Sequence, residues 1–219
     1  WVLAERSRGD GGFNHEAKDT GGPFLVDTLA MGRAFLALYR STGNRKWLEH
    51  AGRAADFMAA TFIDPETGAF LASQPDPMLP KPARQKDVNV SAVRFFNLMK
   101  YYTGEDRYSA IAEAGMGYLT SPAVTDAHFF LPGVLLAEQE LTHEPVKATI
   151  VGGKDDAQAA ALHLAALAYP TEYKRVQWWD KREGKLPYHD VNYPDYPEAA
   201  AFACTSTFCS LPVTEVGGV

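Results

Sequence analysis

Asp27-Thr28-Leu29-Ala30-Met31-Gly32-Arg33-Ala34-Phe35-Leu36-Ala37-Leu38-Tyr39-Arg40-Ser41-Thr42-Gly43 is the stretch that decides the fold of this chain. From Phe24 to Ser41, Leu25, Leu29, Leu36 and Tyr39 recur at helical spacing, and Met31, Phe35 and Leu38 form a second stripe beside them. So wide an apolar arc predicts a helix covered on more than one side. Thr42-Gly43 ends it, because glycine turns most easily through the left-handed conformation at a helix terminus. A return helix is predicted from about Lys46 to Phe62, with Trp47, Ala51, Ala54, Phe57 and Met58 inward and Glu49, His50, Arg53 and Asp56 mostly outward. The unit is a helical hairpin.

The hairpin recurs 61 residues later without a gap: Asn89 to Tyr102 reads as a helix, Thr103-Gly104 as its turn and Asp106 to Leu119 as its return. Arg33 aligns with Arg94, Phe35 with Phe96, Thr42 with Thr103, Gly43 with Gly104 and Ala51 with Ala112. These five identities among 32 aligned positions are few, but they fall where turn geometry and core packing demand them. Between the copies lies the turn Asp64-Pro65-Glu66-Thr67-Gly68, a short extended run from Ala69 to Ala72, and a loop holding Pro75, Pro77, Pro80 and Pro82. That loop reads either as a surface connection or as a binding loop. A fifth helix is predicted over Asp126 to Leu141, kinked or split by Pro132. From Val146 the pattern becomes strand (Val146 to Val151), helix (Asp155 to Ala168), strand (Lys174 to Trp179) and a third strand from Ala199 to Cys204. The fold class is therefore mainly α, with a hairpin region over 1–145 and a small α/β tail over 146–219 packed on it.

A formal net charge of -6 argues against nucleic acid or anionic lipid as a partner, since both require clustered Lys and Arg. No stretch approaches the roughly 18 apolar residues of a membrane span. The chain opens at Trp1 without an initiator Met, as a piece of a longer protein would. Its only cysteines, Cys204 and Cys209, are too few for a disulfide framework, so a reducing, cytoplasmic setting with buried thiols is expected, a local disulfide being the alternative. With no histidine beyond His189, the two cysteines do not suggest a metal site, and no cofactor is expected.

Three places hold chemistry-bearing residues. Gly11-Gly12-Phe13-Asn14-His15-Glu16-Ala17-Lys18-Asp19 sets an imidazole and carboxylates in a loop beside a rigid scaffold, which suits proton transfer on a polar substrate. His15, Glu16 and Asp27 are the candidate catalytic groups, with Asp19 binding substrate; the alternative is a solvated loop and a helix cap. At the equivalent end of the second hairpin, Asp87, Asn89 and Arg94 form a candidate binding rim, or else Asp87 caps a helix while Arg33 and Arg94 pair with neighbouring carboxylates. Val151-Gly152-Gly153-Lys154-Asp155-Asp156 has the outline of a phosphate loop, but it lacks the motif spacing and its acids would repel an anion while capping a helix. Trp178 and Trp179 are expected to pack the tail against the helices or to form a stacking platform.

Gly11-Gly12-Phe13, the run Asp27 to Ala34 and the ending Cys204-Thr205-Ser206-Thr207-Phe208-Cys209-Ser210-Leu211-Pro212 resemble the C-terminal region of the YyaL/spermatogenesis-associated, thioredoxin-domain-containing proteins. The resemblance implies an (α/α) toroid related to six-hairpin glycosidases and N-acylglucosamine 2-epimerases, preceded by a thioredoxin-like domain. This chain has two hairpins and a fifth helix, so it would be a partial toroid. Two functions follow as expectations. One is a carbohydrate-related domain that binds a sugar-like molecule or performs epimerase- or glycosidase-like acid–base chemistry. The other is a non-catalytic docking module for the absent thioredoxin-like domain, or a homo-oligomer whose copies cover each other's apolar helix faces.

Overall fold

The computed structural model describes residues 1–17, 22–205 and 207–218. A short helix α1 (Val2–Glu5) precedes two hairpins, α2 (Leu25–Thr42) with α3 (Arg45–Phe62), and α4 (Lys86–Thr103) with α5 (Asp106–Leu119). A shift of 61 residues carries α2 onto α4 at both ends and the start of α3 onto the start of α5. The two turns are built alike. Gly43 (φ 64°) and Gly104 (φ 73°) are both left-handed, and their N–H groups donate to Tyr39 and Lys100, the same repeat position. The Thr42 hydroxyl donates to the Leu38 carbonyl at 2.7 Å and Thr103 donates to Met99 at 2.8 Å.

The fifth helix, expected over Asp126 to Leu141, is helical only from Pro132 onward. A short helix α6 (Pro122–Thr125) is followed by non-helical residues, and Pro132 begins α7 (Pro132–Thr142). Proline has no N–H to lose at a first helical position, so it starts a helix where it would break one inside. The first helix of the second hairpin also begins at Lys86, before the expected Asn89. The tail comprises β1 (Val146–Val151), α8 (Ala157–Ala168), β2 (Lys174–Trp179) and β3 (Ala200–Cys204) in the order β2-β1-β3, parallel between β1 and β2 and antiparallel between β1 and β3. The chain is mainly α.

The hairpin core is aromatic. Phe35, Tyr39, Phe62, Phe70, Phe96, Tyr102 and Tyr108 are fully or almost fully buried, at roughly 1.5–3 kcal/mol for a large apolar side chain removed from water. Trp47 and His50 both stack on Phe35, so His50 is half-buried rather than outward. Leu38, expected in a covered stripe, is 40% exposed.

The tail caps both hairpin turns. A Cβ on Gly43 would lie 2.9 Å from the Trp178 Cβ, and one on Gly104 would lie 2.4 Å from the Tyr188 ring. Lys154 Nζ donates to the Gly43 carbonyl at 2.9 Å, and Arg175 Nη1 donates to the Tyr101 carbonyl at 2.9 Å. Arg175 is wholly buried but forms a bidentate pair with Asp190, without which its desolvation would be uncompensated.

Both outer edges of the sheet are covered. Along β3 the returning chain bonds at Ala201 to Val213 and at Ala203 to Ser210. On β2 the Tyr102 hydroxyl accepts from the Val176 N–H at 3.1 Å. Cys204 and Cys209 form a disulfide, which corrects the expectation of free thiols. Their Cα atoms lie 4.1 Å apart, with the Thr205 N–H donating to the Phe208 carbonyl between them, a proximity that spacing alone does not reveal.

Candidate functional site

The glycine-rich lead-in folds back on itself. The Asn14 N–H donates to Arg6, that of Arg8 to Gly12, and buried Phe13 donates its N–H to the Thr28 hydroxyl at 3.1 Å. Gly11 (φ 103°) passes so close to α3 that a Cβ would sit 2.3 Å from the Arg53 carbonyl oxygen. This anchoring delivers His15 to α2, where its Nδ1 lies 3.0 Å from Asp27 Oδ1. A carboxylate can only accept, so the pairing with Asp27 favours the imidazole tautomer that donates from Nδ1. Asp27 stands in the first turn of α2, where the helix N-terminus favours its charge, and its Oδ2 is buried with no hydrogen-bond partner among the described residues. His15 is mostly exposed, and its ring meets Phe24 edge-on. Glu16 is on the same exposed loop, and Asp19 lies outside the described residues.

A cleft of about 490 Å³ runs between α2 and α4 and is also lined by Glu140 of α7 and by Glu172 and Tyr173, just before β2. Ala30, Ala34 and Ala37 line its α2 wall, and Asp27 is one turn before Ala30 on the same stripe. The His15–Asp27 pair therefore stands just beyond the N-terminal end of that wall. Small alanines leave the space, while Arg33, Arg40, Ser91, Arg94, Glu140 and Tyr173 supply the polar surface.

The second hairpin's expected rim is divided. Arg94 does line the cleft, but its guanidinium is held bidentate by Glu140 of α7, at 2.7 Å on both oxygens. The hydrogen bonds that Arg94 donates to Glu140 hold its pKa above the usual value. Asn89 is not on the rim. Its side chain is fully buried, accepts from the Phe70 N–H at 2.7 Å and donates to the carbonyls of Phe70 and Gln85 at 2.9 Å. Phe70 bridges Ile63 on one side, and its own N–H and carbonyl, which that bridge leaves unpaired, are satisfied by a buried amide from α4. Asp87 is exposed in the first turn of α4 and pairs with Lys86; it is not the cap, which is Gln85.

Sequence reasoning missed Glu140, Arg40 and Tyr173 as cleft residues. The period of α7 was legible, but its docking on α4 is a tertiary fact. The glycine turn after β1 is what its acids suggested: the Asp156 side chain accepts from the Gln158 N–H and caps α8, and Asp155 pairs with Arg182. Trp178 donates Nε1–H to the Gly152 carbonyl and packs on His163, and Trp179 joins Tyr193 and His189. Among the described residues, no three His, Cys, Asp or Glu side chains are grouped to hold a metal ion, and no helix is long and apolar enough to cross a membrane.

No family model and no curated protein matches the chain. Among solved structures it is similar to a family 76 glycoside hydrolase from a bovine Bacteroides thetaiotaomicron strain, at 17% identity and a TM-score of 0.40. That match covers 48% of this chain and 24% of the hydrolase chain.

Proposed function

We propose that this chain is a carbohydrate-binding helical domain, part of an (α/α) toroid, whose ligand lies in the cleft between α2 and α4. The observation that carries the reading is the single stripe on α2 that leads from Asp27, paired to His15, into the cleft wall. Stripe and pair together support the reading of His15 as an acid–base group at the end of a polar groove. In this reading His15 Nε2 exchanges a proton with a ligand hydroxyl or a carbon beside a carbonyl, and Asp27 fixes the tautomer and balances the imidazolium. A ligand can also bind with no chemistry following, and the test separates the two cases. The chain is titrated with a panel of monosaccharides, and solvent deuterium exchange into the bound sugar is followed by NMR. Binding together with exchange that His15→Ala abolishes supports an acid–base domain. Binding without exchange supports a lectin-like one, and no binding in the panel discards the proposal.

A second reading has its own observation. Phe129 and Phe130 before α7, and Leu135 and Leu136 on it, are exposed together, a set larger than scattered surface apolar residues require. On the family resemblance, this face docks the thioredoxin-like domain. Titrating that domain onto this chain and finding no NMR shifts at these four residues would remove the reading.

A further inference from the structure

The two repeat-equivalent arginines have different fates, and the difference defines the ligand. Arg94 is neutralised by Glu140. Arg33, the same position in the first hairpin, lines the cleft with no acidic partner among the described residues. Two turns further along α2, about 10.5 Å at 1.5 Å per residue, Arg40 also lines the cleft without an ion pair, and its Nε is buried with no hydrogen-bond partner. Glu172 is the remaining acid in the lining and sits within 4 Å of neither arginine's charged nitrogens among the described ion pairs. A protein of net charge -6 thus has a cleft whose unpaired cations outnumber its unpaired anions.

A buried guanidinium N–H without an acceptor is costly, and a planar oxyanion is the group that matches such a fork. We infer that the cleft takes an anionic sugar, a hexose carrying a carboxylate or a phosphate, with the oxyanion bound between Arg33 and Arg40 and the hydroxyls facing Ser91 and Tyr173. This rests on the carbohydrate reading above and adds the charge of the ligand to it. Arg94 and Glu140 serve as the fixed wall. Their mutual pairing keeps Glu140 from neutralising the two arginines opposite.

The test is isothermal titration of the chain with glucose, glucuronate, glucose 6-phosphate and inorganic phosphate, repeated at two salt concentrations. Glucuronate or glucose 6-phosphate should bind at least tenfold tighter than glucose, and the preference should shrink as salt rises. Arg40→Gln and Arg33→Gln should each weaken the anionic sugar by about tenfold, more than either weakens glucose. Because Arg33 is exposed, its variant retains the fold, which a thermal melt checks. The preference of glucuronate over glucose 6-phosphate, or the reverse, identifies the source of the oxyanion. Equal binding of glucose and the anionic sugars overturns the charge assignment but leaves the carbohydrate reading intact. Inorganic phosphate binding as tightly as glucose 6-phosphate overturns the sugar and leaves only an anion site. Binding of none of the four overturns both.

Discussion

Asn89→Ala tests whether the buried amide on α4 is structural or part of a ligand rim. The variant removes three hydrogen bonds and leaves the Phe70 N–H and carbonyl without the partners they now have at 2.7 and 2.9 Å. Gln85 loses less, because its carbonyl still accepts from the Asn89 backbone N–H. Phe70 is 0% exposed, so water cannot replace the lost amide without entering the core. An orphaned buried donor or acceptor costs roughly 1–3 kcal/mol, which puts the pair at about 4 kcal/mol. In a domain of this size that is a fall in Tm of about 8–16 °C. Urea unfolding followed by far-UV circular dichroism should show the midpoint falling with an unchanged m-value. Asn89→Asp should be no better, since it keeps the acceptor for the Phe70 N–H but turns a carboxyl oxygen toward the Phe70 carbonyl. A loss below about 1 kcal/mol, combined with weakened sugar binding, would refute the reasoning and return Asn89 to the rim.

Three further outcomes are expected. Burial raises the Asp64 carboxyl, but hydrogen bonds from Lys81, Arg84 and Thr67 outweigh it and hold the pKa far below the ordinary 3.8; Asp180 is lowered chiefly by Arg182. Both groups are depressed, so their stabilisation is present above that ordinary value and is lost as pH falls below about 4, visible as a urea midpoint that Asp64→Asn makes less pH-dependent. Cys204→Ser should cost about 2 kcal/mol from a loop closed over a separation of 5, and a reductant should reproduce that loss in the wild type but not in the variant. Gly11→Ala places a Cβ 2.3 Å from a carbonyl oxygen at a φ of 103°, and differential scanning calorimetry should show a loss of about 2–3 kcal/mol, whereas Gly117→Ala, with open space around it, should be neutral or stabilising.

The hairpins were readable because their signals are local. Helical periodicity and the Thr-Gly turns need no tertiary partner, and the 61-residue shift that aligned Gly43 with Gly104 also aligned the helix ends. The first strand was readable for the same reason, since the alternating, β-branched run Val146 to Val151 ended by Gly152-Gly153 is a short-range pattern. Pro132 misled because its effect depends on whether the preceding residues are already helical. The His15–Asp27 pair was suggested by composition and brought together by Phe13, which acts as the pin. Asn89 looked like a rim residue because the sequence does not show that the Phe70 N–H and carbonyl would lack a backbone partner. Glu140 and Arg40 were invisible because their roles depend on how α7 and α2 face α4.

The covered sheet has a consequence for the life of the protein outside its native state. A three-stranded sheet ordinarily presents two unsatisfied borders to which the strand of another molecule can add, the first step toward fibrils. Here one border is stopped by a tyrosine hydroxyl and the other by the chain's own last turn, which the Cys204–Cys209 bond ties down. Reduction that lets Cys209 and Ser210 peel away would uncover that end of β3 while the hairpins remain folded. The bond thus helps to keep the β3 border closed, beside the hydrogen bonds of Ala201 to Val213 and Ala203 to Ser210.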